Sequence, residues 1–94
     1  MIIGSCKLKF IIPGAFSLKD KRRIIKSLKD KSRNKFNIAV AEVDQNDIWQ
    51  NATIGIVTLS NNKKSVDQTI SKYIDYVEDR FPELQLRDYE REIF

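Results

Sequence analysis

Residues 52–81 read ATIGIVTLSNNKKSVDQTISKYIDYVEDRF, and a change of apolar period inside this stretch decides the fold. Up to Ser60 bulky side chains alternate between two faces, Ile54 and Ile56 on one, Val57 and Leu59 on the other. That is the two-residue period of a strand. Asn61-Asn62 ends the run. From about Ser65 the spacing becomes Val66, Ile70, Tyr73, Ile74, Val77 and Phe81, the stripe of an amphipathic helix over about 64–81, and Pro82 closes it. A strand apolar on both sides needs cover, and the helix that follows has a face to bury against it.

The first half of the chain repeats this plan. Residues 2–12 alternate an apolar set (Ile2, Gly4, Cys6, Leu8, Phe10, Ile12) with a mixed set (Ile3, Ser5, Lys7, Lys9, Ile11), and Pro13-Gly14 stops the strand. Ser17 reads as a helix N-cap, with Asp20 three residues on completing an approximate capping box. Over 18–35, Leu18, Ile25, Leu28, Ser32 and Phe36 fall on one helical face. Phe36 to Val43 reads as the second strand, followed by the polar loop Asp44-Gln45-Asn46-Asp47. Leu84 to Phe94 reads as a last strand, charged on both faces as an edge strand tolerates. The order predicts an α+β fold, a ferredoxin-like βαββαβ domain spanning residues 1–94. Two helices cover one face of a four-stranded antiparallel sheet, with the first and third strands central.

Charge is distributed less evenly than apolar residues. Between Lys19 and Lys35 lie nine basic side chains against Asp20 and Asp30, a local charge of +7 in a chain whose net charge is +4, leaving −3 for all other residues. Lys19, Arg22, Arg23, Lys26 and Arg33 share one flank of the predicted helix, with Lys29 near its edge. These six are the candidate nucleic-acid-binding residues: each phosphate they neutralise releases condensed counterion, giving affinity with little sequence preference. Arginines can grip phosphate in bidentate fashion, while lysines act as point charges. A solvated face chosen for helix propensity and solubility competes with this reading on equal terms.

Catalysis finds little support. There is no histidine to act as a base near pH 7. Cys6 falls on the apolar set of a strand, where it packs as a small hydrophobe. Glu42, Asp44 and Asp47 have oxygens that could meet a hard cation, but turn formation and solvation account for them more simply. The Pro13-Gly14-Ala15-Phe16 turn has neither the Gly-rich loop with a paired arginine of small ferredoxin-like phosphatases nor the Cys-x-x-Cys of metal carriers. We therefore expect a protein without enzymatic activity, cofactor or bound metal. The sheet also lacks the exposed aromatics with which RNA-recognition motifs stack bases. Asp47 and Trp49 are loop or interface candidates; packing of the single tryptophan, as a core cap or at an oligomer interface, is favoured over stacking on a base. One cysteine, no signal-like leader and no long apolar run together fit a cytoplasmic protein without a membrane partner.

The runs Pro13-Gly14, Ser17-Leu18-Lys19-Asp20-Lys21-Arg22-Arg23, Lys26-Ser27-Leu28-Lys29-Asp30, Arg33-Asn34-Lys35-Phe36-Asn37 and Ala41-Glu42-Val43-Asp44 are similar to those of the YlxP-like family of small bacterial proteins. Asp47, Trp49-Gln50, Ala52-Thr53, Gly55 and Ser60-Asn61 continue the resemblance across essentially the whole chain. Where relatives often carry a histidine after the acidic position, this chain has Gln45. The resemblance implies a self-associating ferredoxin-like domain with no catalytic residues to carry over. Its genes typically lie among those for translation initiation and ribosome maturation, which points toward ribosomal or other structured RNA as a partner. Two functions follow as expectations: an RNA- or ribosome-associated protein using the basic helix, or a homo-oligomeric small-ligand or regulatory module with its site at a subunit interface. Self-association, as a homodimer or higher, is also expected from the sheet, because two helices cover only one of its faces.

Overall fold

In the computed structural model, which describes residues 1–44 and 48–94, the elements run β1 (Ile2–Ile11), α1 (Leu18–Lys35), β2 (Ala39–Glu42), β3 (Asn51–Ser60), α2 (Lys63–Arg80) and β4 (Gln85–Ile93). They form one sheet in the order β2-β3-β1-β4, with every neighbouring pair antiparallel. This is the expected ferredoxin-like arrangement, with β1 and β3 in the middle. Their register sets Cys6 opposite Ile56 and Leu8 opposite Ile54, so the apolar sets of both strands share a face.

Both helices bury their stripes on that face. Ile25 and Leu28 of α1 and Val66, Ile70, Tyr73, Ile74 and Val77 of α2 join Leu8, Phe10, Ile54 and Ile56 in one core. Gly4 permits the approach of α2 to β1, since a Cβ there would collide with Val66 and stand 3.0 Å from Ile70 Cδ1. Between the helices, the Ser32 and Tyr73 hydroxyls share a buried hydrogen bond of 2.9 Å. Phe36 meets Tyr73 edge-on, its ring centroid 5.3 Å away. Burial pushes the Tyr73 phenol up to about 12, against the smaller pull of its bond to Ser32.

Most boundaries fall within a residue of the sequence expectation, and two differences have a clear physical cause. The second strand begins at Ala39 instead of Phe36, because Phe36 caps α1: its backbone N–H still bonds the Ser32 carbonyl at 2.9 Å. Helix α2 starts at Lys63, because the Asn62 side chain accepts the Ser65 N–H at 2.8 Å and serves as the N-cap. Asn62 therefore starts the helix as well as following the strand. At α1, Ser17 Oγ accepts the Asp20 N–H at 3.1 Å, as the capping motif predicts, but the Asp20 carboxylate reaches back to the Phe16 N–H at 3.0 Å. The final strand is an edge strand, as its charges imply.

Among the described residues, no helix lies on the opposite face of the sheet. Across it run Ala39 and Ala41 of β2, Gly55, Val57 and Leu59 of β3, Ile3, Lys7 and Lys9 of β1, and Glu90 and Glu92 of β4. Val57 and Leu59, not Ile54 and Ile56, are thus the outward pair, and they are 44% and 55% exposed. Val43 lies over Gly55, where a Cβ would come within 2.7 Å of its Cγ1.

Candidate nucleic-acid interface on the first helix

The structure sorts the nine basic residues of the α1 segment into three groups. Lys21 is in the core layer, only 3% exposed, with its Nζ 3.2 Å from a Glu42 carboxylate oxygen and 3.2 Å from the Ile48 carbonyl. The buried face expected from the sequence does not include it, although Lys21, Ile25, Leu28 and Ser32 follow one helical face at steps of four, three and four. Lys31 and Lys35 turn toward α2, their ammonium groups 5.5 Å and 5.6 Å from the Phe81 and Tyr76 ring centroids. The remaining six are the predicted stripe. Lys19, Arg22, Arg23, Lys26 and Arg33 are exposed and Lys29 is half-buried.

Within the stripe, charge is unevenly committed. Lys26 bonds Asp30 at 3.0 Å, Arg33 lies 3.8 Å from the same carboxylate, and Arg23 lies 3.8 Å from Asp20. The bond from Lys26, and the positive fields of Lys26, Arg33 and Lys29, hold the Asp30 carboxyl below the usual carboxylate range. Arg33 also donates to the Val40 carbonyl at 3.1 Å, which anchors it to β2. Lys19, Arg22 and Lys29 make no ion pair among the described residues. Exposed pairs of this kind are worth little and exchange readily, so a phosphate could replace Asp20 or Asp30 as partner. Chemically, the flank can neutralise several phosphates in a row without reading bases.

The other sequence candidates separate. Asp47 lies outside the described residues. Trp49 does not cap the core: it is 44% exposed in the turn before β3. Glu42 faces Lys21 and Asp44 is exposed. Cys6 is buried on the core face, where desolvation pushes its thiol up and leaves it a poor nucleophile. No aromatic side chain of β1 or β3 lies on the open sheet face. What sequence reasoning missed was Phe16, 78% exposed directly before the N-cap of α1. A lone aromatic in a turn has no periodicity to flag it. A cleft of about 450 Å³ also lies on the open sheet face between Val43, Val57, Lys7 and Glu90.

Likenesses in fold place the chain in a widely used architecture. A de novo designed protein, Foldit4, superposes with a TM-score of 0.57 at 9% identity, covering 99% of this chain and 94% of that one. A point mutant of SnoaB, a cofactor-independent oxygenase from Streptomyces nogalater, gives 0.54 at 8% identity, covering 98% and 90%. At3g17210 from Arabidopsis thaliana gives 0.52 at 13% identity, covering 98% and 92%. At such identities the likeness is one of fold alone. Sequence carries further: the uncharacterized protein YlxP of Bacillus subtilis (strain 168) is 31% identical over 84 residues, 89% of this chain and 90% of that protein. The family model described as a protein of unknown function, DUF503, matches residues 3–91, and with that match the chain belongs to this YlxP-like family.

Proposed function

We infer that this is a noncatalytic cytoplasmic RNA-binding protein that holds the phosphate backbone of structured RNA, ribosomal RNA foremost, along α1. The observation that carries the reading is the sorting of charge on that helix. Lys21 is buried in the fold, Lys31 and Lys35 stay exposed but lean over rings on the α2 side, and the other six are those that share the outer flank by helical periodicity. Five of the six are exposed, and three have no carboxylate partner among the described residues. A helix face kept only for solubility is usually laced with carboxylates at i+4, whereas this one has Asp20 and Asp30 alone.

The test is co-sedimentation of the protein with ribosomal subunits, and gel retention with ribosomal RNA, across a salt series. Binding is expected at low salt and should fall steeply as salt rises. Reversing Arg22 and Arg23 to Glu should abolish it without unfolding the protein, because both side chains are exposed. Unchanged co-sedimentation of that double variant would leave α1 as a solvated surface.

A second reading rests on the uncovered sheet face. There, exposed Val43 and Val57 border a cleft of about 450 Å³, with exposed Leu59 further along β3, and a second copy seated on this face would make a homo-oligomer with a small-ligand site between subunits. The two readings are compatible, since the stripe belongs to α1, which packs on the other face of the sheet.

A further inference from the structure

The corner at the N-terminal end of α1 exposes two aromatic residues that the core does not use. Phe16 is 78% exposed and Trp49 is 44% exposed, with Ile48 beside it at 55%. Phe16 is largely bare and Trp49 about half covered, while the backbone at Phe16 and on both sides of Trp49 is held. The Phe16 N–H donates to Asp20 Oδ2 at 3.0 Å, and Asp20 Oδ1 lies 3.8 Å from an Arg23 guanidinium nitrogen. One carboxylate thus links the residue bearing the aromatic ring to Arg23 of the stripe. On the other side, Lys21 Nζ donates to the Ile48 carbonyl at 3.2 Å and the Ile12 N–H donates to the Gln50 carbonyl at 2.8 Å. Gln50 Nε2 reaches the Ala15 carbonyl at 3.5 Å, which brings the Trp49 turn alongside the Phe16 turn.

We propose that Phe16 and Trp49 form a stacking platform for an unpaired nucleobase of RNA whose phosphates run along Lys19, Arg22 and Arg23. The site deepens the RNA-binding reading and rests on it. Large exposed rings beside guanidinium groups are how single-stranded nucleic acid is held without sequence readout, each base stacking on an aromatic face while its phosphate meets a cation. Charge argues against a second copy of the chain as the occupant, because docking this corner against itself would bring two basic stripes together. An unpaired strand supplies both the π-faces and the negative charge. The platform lies outside the sheet, so it differs from stacking on the central strands, for which this chain has no aromatics. It also turns Trp49 from the packing residue the sequence favoured into a contact residue.

Trp49 is the only tryptophan, so its fluorescence reports on the site directly. The full chain is titrated with an octauridylate and with a blunt RNA duplex that has no unpaired base, at low and moderate salt. Octauridylate should quench Trp49, whereas the duplex should bind the stripe and leave its emission unmoved. Phe16→Ala should weaken octauridylate binding roughly 5- to 100-fold, the usual effect of removing one stacking ring, and should spare duplex binding. Trp49→Ala should weaken it similarly and Trp49→Phe much less, with circular dichroism checking that each variant is folded. If octauridylate binds without moving Trp49 emission and Phe16→Ala has no effect, the platform is overturned while the stripe stands. If neither RNA binds at low salt, both readings fall. If the emission shifts with protein concentration alone, a second copy covers the corner and the platform is again overturned.

Discussion

Lys21 Nζ and the Glu42 carboxylate meet at 3.2 Å, joining the first turn of α1 to the end of β2 beneath the surface. The most basic segment of the chain thus spends one of its cations on architecture. Removing one partner of a buried pair strands the other charge, typically at ~3–5 kcal/mol, whereas replacing both with apolar groups is often nearly neutral. Because the Glu42 side chain is 22% exposed, the lower end applies here. Lys21→Ala and Glu42→Ala should each lower stability by ~3 kcal/mol, and Lys21→Met/Glu42→Leu should recover most of it. Urea unfolding of the four proteins checks this; strictly additive losses would show that the two residues do not act as a pair.

Tyr73 makes stability sensitive to alkali. Its phenol is pushed up to about 12 in the folded protein, against an ordinary value of 10.0 in the unfolded chain. Between these values the folded state holds a proton that the unfolded state has given up. The contribution is therefore fully present below about pH 10 and is lost as pH rises through about 12, at up to about 1.4 kcal/mol per pH unit. Tyr73→Phe should flatten this fall. It should also cost about 1 kcal/mol near neutral pH, because Ser32 loses its buried partner, and Ser32→Ala added to it should restore part of that loss.

Ile70 is fully buried on the α2 stripe, between the helix and β1. Ile70→Ala should destabilise the protein by ~2–5 kcal/mol. Val57→Ala, on the uncovered face, should change the stability of a monomer by less than ~1 kcal/mol. Near-equal effects in denaturant unfolding would contradict the assignment of the two sheet faces.

The same uncovered face predicts self-association. Light scattering at micromolar concentration should give a mass above that of the 94-residue monomer. Val57→Asp together with Leu59→Asp should return it to monomer with the fold intact, since both side chains point to solvent. A strict monomer mass for the unmodified protein would remove this expectation.

Contributions along the stripe should be unequal. Among the described residues Lys19, Arg22 and Lys29 are not paired with carboxylates, whereas Lys26 must first release Asp30. Arg22→Ala should therefore weaken RNA binding more than Lys26→Ala. It should also reduce the slope of log K against log salt by ~0.7 to 0.9 for each phosphate that is no longer neutralised. Equal effects from both substitutions would indicate a diffuse field without defined phosphate partners.

The order of elements, both helical stripes, the central strands and the six-residue basic flank were all legible in the chain. Each rests on local periodicity, 2 or 3.6 residues per repeat, that any folded arrangement must respect. Strand and helix boundaries were less legible where one residue serves two elements. Phe36 continues an apolar alternation yet caps α1, and Asn62 ends a strand yet starts a helix. Three matters were decided only by tertiary packing. Which face of β3 would be outward could not be read, because Ile54/Ile56 and Val57/Leu59 are equally apolar; the register with β1 settled it by setting Cys6 and Leu8 opposite Ile56 and Ile54. The Lys21–Glu42 pair joins residues far apart in the chain, although helical spacing alone would place Lys21 on the inner face. The exposed corner of Phe16 and Trp49 is brought together by bonds between two turns more than thirty residues apart. Composition can place charge and apolar surface on an element, but only the closing of the sheet determines which distant side chains become neighbours.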